Sequence, residues 1–179
     1  MTPMLRPAAL ALVLLATPVA AQRHNTDAPI NFSANAIELQ DRANRAVLSG
    51  AVDVRQGSMT LNADRMTVAY TGQVLEGSPQ VSRLDASGNV VVRRPDQTAR
   101  ASYAVYDLNR RIITMLGAVS LTQGSNTVNG GRLTINLDTG RAVIDGSSVG
   151  APAAGAAPGT VTERRGRVTG TFSVPKRQD

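Results

Sequence analysis

Few residues in this sequence are of types that do chemistry. The chain has one histidine, His24, and neither cysteine nor tryptophan. His24 stands in a polar stretch with no second ligand at metal spacing and no nucleophile to complete a triad. Without a thiol there is no thiolate metal site and no disulfide. The carboxylates are scattered singly, and Asp41, Asp107 and Asp138 recur at corner positions, where an acidic side chain serves to cap a turn rather than to act as general acid or base. No phosphate-binding loop and no Gly-x-Ser-x-Gly elbow occurs. The expectation is a protein with no catalytic, metal or cofactor residues.

The residues left to carry a function are aliphatic and alternate: Val52 and Val54, Met59 and Leu61, Met66 and Val68, Val90 and Val92, Tyr106, Val119 and Leu121, then Leu133, Ile135 and Leu137. Period-two alternation dominates residues 31–149, whereas a helix needs apolar residues three and four apart. Runs of four to eight residues bounded by Gly, Pro, Asn and Asp predict about ten to fourteen short antiparallel strands. The fold class is all-β, as an open sheet stack, sandwich or jelly roll. Two readings of the apolar face stay open. It fills a solid core, or it lines a slot between two facing sheets wide enough for acyl chains.

A diffuse repeat organises the middle of the chain. Gly50, Gly88 and Gly117 each open a G-x-V-x-[VL] run that ends in a polar turn. Sixteen, eighteen and twenty positions later come Met66, Val68 and Tyr70, then Ala104, Tyr106 and Leu108, then Leu133, Ile135 and Leu137. The copies are 38 and 29 residues apart, and the excess, at residues 77–85, reads as one extra strand with its turn. Such units stack so that each buries its face only against its neighbours.

The ends read differently. Residues 1–21 carry Arg6, an apolar run and small residues before Gln22, the pattern of a cleaved secretory signal that is too short to span a membrane. Residues 22–30 read as a mobile lead-in, residues 31–149 as the β domain, and residues 150–179 as a flexible Ala/Pro/Gly linker and basic tail. Within that tail, residues 167–175 alternate and are read either as a docked terminal strand or as disordered. Cleavage after Ala21 leaves 18 basic and 13 acidic residues, a surplus that favours an acidic partner. Export argues against nucleic acid. So do the sparse aromatics, Phe32, Tyr70, Tyr103, Tyr106 and Phe172, because single-strand readers need stacking platforms. Arg55, Arg93 and Arg94 are candidate phosphate contacts at a rim, or merely solvated turn residues.

Five segments taken in order carry a resemblance: A-D-R-x-x-V-x-Y at 63–70, S-G-N-V at 87–90, A-x-Y-A-V-Y-D at 101–107, L-G-A-V-x-L-T-Q-G at 116–124 and G-x-R-L-T-I-N-L-D-T-G-R-A at 130–142. In this order they resemble the LptA/OstA family of periplasmic lipopolysaccharide-transport proteins, over about residues 30–146. The resemblance implies a twisted antiparallel β-jelly roll, folded like a taco and open at both ends. Its apolar groove, here Val52, Val54, Met66, Val68, Val90, Val92, Tyr106, Val119, Leu121, Leu133, Ile135 and Leu137, would hold the acyl chains of lipopolysaccharide or a related anionic glycolipid. It also implies a periplasmic location, inner-membrane and outer-membrane partners of the same export pathway, and head-to-tail assembly of copies through edges that here carry Phe32, Ile37, Leu39 and Ile144. The linker and basic tail depart from the family pattern, which leaves open whether the C-terminal edge pairs with a neighbour or with its own tail. A structural envelope scaffold that binds no lipid is the alternative.

Overall fold

The computed structural model describes residues 25–72, 79–149, 163–165 and 168–171. The signal, His24 and residues 150–162 lie outside the described residues. Among the described residues twelve strands follow one another: β1 (Ile30–Ser33), β2 (Ala36–Gln40), β3 (Arg45–Gln56), β4 (Met59–Thr71), β5 (Gln80–Arg94), β6 (Gln97–Asp107), β7 (Ile112–Gln123), β8 (Asn126–Asn136), β9 (Ala142–Asp145), β10 (Ser147–Val149), β11 (Glu163–Arg165) and β12 (Thr169–Thr171). Ten form one antiparallel sheet in the order β1-β3-β4-β5-β6-β7-β8-β12, with β2 also on β3 and β9 also on β8, while β10 and β11 pair separately. The only helical turn among the described residues is the 3-10 turn Asp41–Ala43. The all-β, jelly-roll expectation holds.

The number of strands falls within the expected ten to fourteen, but β3 to β8 are longer than runs of four to eight residues, because each crosses the whole sheet and bends in the middle. The bend lies at the glycines that mark the sequence repeat. Gly50 and Ala51 have φ of 74° and 46°, Gly88 and Asn89 75° and 46°, Gly117 and Ala118 79° and 48°. Each left-handed pair inserts two residues opposite one on the next strand, so the register shifts between Ser49 and Val52, between Ser87 and Val90, and between Leu116 and Val119. A bulge of this kind sharpens twist and bends the strand. The intervening strands answer with a one-residue slip of face: β4 buries Met59, Leu61 and Ala63, then Met66, Val68 and Tyr70. The bulges line up across the sheet and crease it into two flanks. Of residues 77–85, those described add no separate strand. The described part, from Gln80, is the first half of β5, which is 15 residues long against 12 for β7.

The crease is tight where a side chain from a neighbouring strand, or from the link between β1 and β2, lies over the glycine. A Cβ on Gly50 would stand 2.8 Å from Asn35 Nδ2, and one on Gly117 would stand 3.1 Å from Ser102 Cβ. At Gly88 it would run into the Asp64 carboxylate, which accepts a 2.8 Å hydrogen bond from Asn89 Nδ2. The first flank holds residues 52–63, 90–101 and 119–130 and ends in a rim of tight turns at Gly57, Pro95 and Gly124. Gly57 and Gly124 take φ of 54° and 58°, the left-handed first position that a two-residue hairpin turn favours. The second flank ends in a rim at residues 41–44, 108–111 and 137–141, where Asp107 Oδ1 accepts from the Arg110 N–H at 2.9 Å, a turn-capping role.

Gly88→Val should therefore cost about 3 kcal/mol, from the left-handed φ together with the collision with Asp64. Gly124→Ala, with nothing within 4 Å of the added carbon, should cost about 1 kcal/mol from φ alone. Urea unfolding of the two variants checks the ranking.

Candidate functional site

The two flanks face each other across one apolar cluster. Val52 and Val54 of β3, Met66 and Val68 of β4, Val90 and Val92 of β5, Tyr106 of β6, Val119 of β7, Leu133 and Ile135 of β8, and Leu137 just beyond it are at most 3% exposed, and all belong to that cluster. Leu121 packs against it partly buried. Every groove residue expected from the sequence thus lies on one inward face. Leu48, Leu84, Ile113 and Met115 belong to the same cluster, and cross-strand pairing places them there. Leu48 faces Met66, Leu84 faces Val68 and Tyr106, Ile113 faces Ile135, and Met115 faces Leu133. Their signal in the sequence is this register, which requires knowing which strands are neighbours.

At its centre the interior is packed, so side chains of the two flanks must part for a guest to lie between them. Among the described residues, one end of the stack is open. Phe32 pairs with Val54, Ile37 with Leu48 and Leu39 with Ala46, which puts all three on the inward face. They are nevertheless 46%, 48% and 60% exposed. The apolar lining therefore runs from the packed centre out to solvent at the β1 and β2 edge. At the opposite end Ile144 faces Leu133 on the inward side and is packed against the cluster. There the first flank is covered by β12 of the chain's own tail, with Thr169 opposite Asn129 and Thr171 opposite Thr127. Among the described residues β1, β2, β9 and β12 each have a strand on one side only.

A polar bridge closes the mouth between the rims. Gln56, at the end of β3 on the first flank, is 3% exposed. Its Oε1 accepts a 2.8 Å hydrogen bond from the Tyr106 hydroxyl on the second flank. Its Nε2 donates to the carbonyls of Thr26, at 2.8 Å, and Ala28, at 3.2 Å. The segment at residues 25–29, read from the sequence as part of a mobile lead-in, thus lies along the mouth. Arg111 on the second rim reaches it, donating to Asp27 Oδ1 at 2.9 Å and to Asp138 Oδ1 at 3.1 Å. These ion pairs are exposed and hold the segment only lightly.

Of the three rim arginines, two are engaged on the outer face. Arg55 pairs with Asp53 at 2.7 Å and keeps that carboxyl below the usual carboxylate range. Asn62 Nδ2 donates to Asp53 Oδ2, and Arg93 Nη1 donates to Asn62 Oδ1, both at 2.8 Å. Arg94 is different: its Nε and Nη1 are buried and have no hydrogen-bond partner among the described residues.

Burial pushes the Tyr106 phenol up to about 12, against the smaller, opposing effect of its bond to Gln56. The unfolded chain ionises near 10, so the stability this shift confers is whole below pH 10 and is lost as pH rises towards 12. We expect Tyr106→Phe to remove that part of the alkaline decline in urea midpoint. At neutral pH it should lower stability by about 1–3 kcal/mol, because the buried Gln56 oxygen loses its donor. Denaturation curves from pH 7 to 12 measure both effects.

The comparisons with known proteins agree with this geometry. Residues 31–141 match the family described as LptA/(LptD N-terminal domain) LPS transport protein. An uncharacterised protein of Rhizobium meliloti (strain 1021) is 32% identical over 125 residues, covering 68% of this chain and 67% of the relative. Among solved structures, LptH of Pseudomonas aeruginosa, described as the LptA homologous periplasmic component of the conserved lipopolysaccharide transport device, superposes with a TM-score of 0.65 at 20% identity. It covers 84% of this chain and 99% of that one, which establishes a shared fold. On the family match and the Rhizobium relative together, the chain belongs to the LptA/LptD N-terminal-domain family of lipopolysaccharide-transport proteins.

Proposed function

We propose that this chain is a non-catalytic periplasmic bridge that carries lipopolysaccharide from the inner towards the outer membrane, with the acyl chains held against the inward apolar face. One observation supports this above the others. The apolar lining does not stop at the packed centre but continues through Phe32, Ile37 and Leu39 to an open end. A protein whose interior served only as a core would keep those three side chains covered. The same edge offers strands with one side unpaired, which suits head-to-tail joining of copies and contact with the membrane-bound components of the pathway.

The energetics constrain how such a bridge works. Each buried methylene contributes about 0.8 kcal/mol, so full burial of one ~12-carbon chain would be worth roughly 10 kcal/mol and several chains would not leave. Opening a packed interior offsets part of that gain, because contacts between the flanks are given up as the chains enter. Binding is thereby moderated, and flow follows a push from upstream. The packed centre also favours a second reading, a solid scaffold for protein contacts that binds no lipid.

A photo-crosslinking residue at Val92 or Ile135 in living cells separates the two. The bridge is expected to give lipopolysaccharide adducts at both positions; protein adducts alone, or none, would favour the scaffold. Depletion of the protein should also leave newly made glycolipid at the inner membrane.

A further inference from the structure

The interior is not uniformly apolar across its width. Inward positions continue to the first rim as Gln56 after Val54, Arg94 after Val92, Gln97 before Ala99 and Gln123 after Leu121, by the two-residue repeat of a strand. Towards the second rim the corresponding positions are Tyr70, Leu108 and Leu137. The first rim is thus lined mainly by carboxamides and a guanidinium, with Met59 of β4 the apolar exception, whereas the polar groups at the second rim, Arg111 and the Tyr70 hydroxyl, are engaged with Asp27, Asp138 and Asp41. An amphiphile lying across it would point its polar head to the first rim.

Within that polar row Gln56 is satisfied by Tyr106, Thr26 and Ala28, and Gln123 reaches Asp96 at 3.5 Å. Arg94 alone in the row has buried donors with no partner among the described residues, at both Nε and Nη1. Buried donors are almost always paired, and an unpaired one on a cation calls for a ligand. Arg132 Nε is also unpaired, but it neighbours the inward Leu133 and so lies on the outer face, away from the lining. Arg94 is partly buried at the rim and its two unpaired donors are covered, so a ligand reaches them when the flanks part. Nε and Nη1 point to different sides of the guanidinium, so each can donate one charge-assisted hydrogen bond, a bond type that phosphate oxygens accept.

Resting on the lipid-carrying function proposed above, we propose that Arg94 is the anion anchor of this site and binds the phosphate of an amphiphile's head group at the first rim while its hydrocarbon lies among Val92, Val54 and Leu121. Arg55 and Arg93, already engaged with Asp53 and Asn62 on the outer face, do not share this role.

The test uses the full mature chain and displacement of an apolar fluorescent dye by dodecyl phosphate, by the uncharged dodecyl maltoside and by inorganic phosphate. In the parent protein dodecyl phosphate should bind about tenfold more tightly than the maltoside, as expected of a charge-assisted hydrogen-bond pair. Inorganic phosphate should not compete. Arg94→Gln should erase the preference while leaving maltoside affinity unchanged, and Arg93→Gln should retain it; thermal unfolding verifies that both variants fold. A preference that survives in Arg94→Gln, or an equal loss in Arg93→Gln, overturns the anchor and leaves lipid binding standing. Displacement by inorganic phosphate as effective as by dodecyl phosphate assigns a free-anion site and also overturns the proposal. Failure of both amphiphiles to displace the dye removes the lipid reading, and the anchor with it.

Discussion

The aligned row of left-handed residue pairs that crosses the sheet governs the rest of the molecule, because it lets one continuous antiparallel sheet face itself. A strand of 11 to 15 residues has a single inward face only while it stays straight. Bent at Gly50, Gly88 and Gly117, with a slip of face at Asp64 and Ser102, the same strands present apolar side chains to one another across the fold. No second sheet or helix is needed to bury them. The hydrogen-bond ladders run nearly unbroken from β1 to β12, and with no cysteine in the chain they and the packing between flanks supply the order.

This arrangement makes the interior a core and is compatible with the proposed role as a site. Its cohesion comes from contacts between flanks, together with the polar bridge from Gln56 to Tyr106 and the light ion pairs of Arg111. None of these closes the sheet into a barrel, so the flanks are joined covalently only through the crease and the terminal segments. At the β1 and β2 edge, where no further strand among the described residues supplies a facing flank, the lining is left uncovered. The end strands and the apolar residues they expose are two consequences of one topology.

Much of this was legible in the sequence. The alternation of Val52 with Val54, or of Leu133 with Ile135, reports the inward face directly, and the three Gly origins mark positions that turned out to be bulges. Their geometry was not legible, because G-x-V states that a left-handed residue is tolerated but not that the copies align into a crease. Leu48, Leu84, Ile113 and Met115 are not marked by local pattern because their burial follows from partners 16 to 22 residues away in sequence. The mouth segment at residues 25–29 has no apolar periodicity, and its contacts are carried by backbone carbonyls and one aspartate, which leave no pattern. Arg94 reads in sequence like Arg93 beside it; only the parity of β5 turns one inward and the other outward.

The central claim is that the two flanks part to admit hydrocarbon. Spin labels at Gln123 and Arg110, exposed residues on opposite rims near the two ends of β7, report the angle of the crease through the distance between them. Pulsed electron-electron resonance should show that distance lengthen when lipopolysaccharide is added and return when it is removed. An unchanged distance distribution in protein shown to hold the lipid would contradict the account.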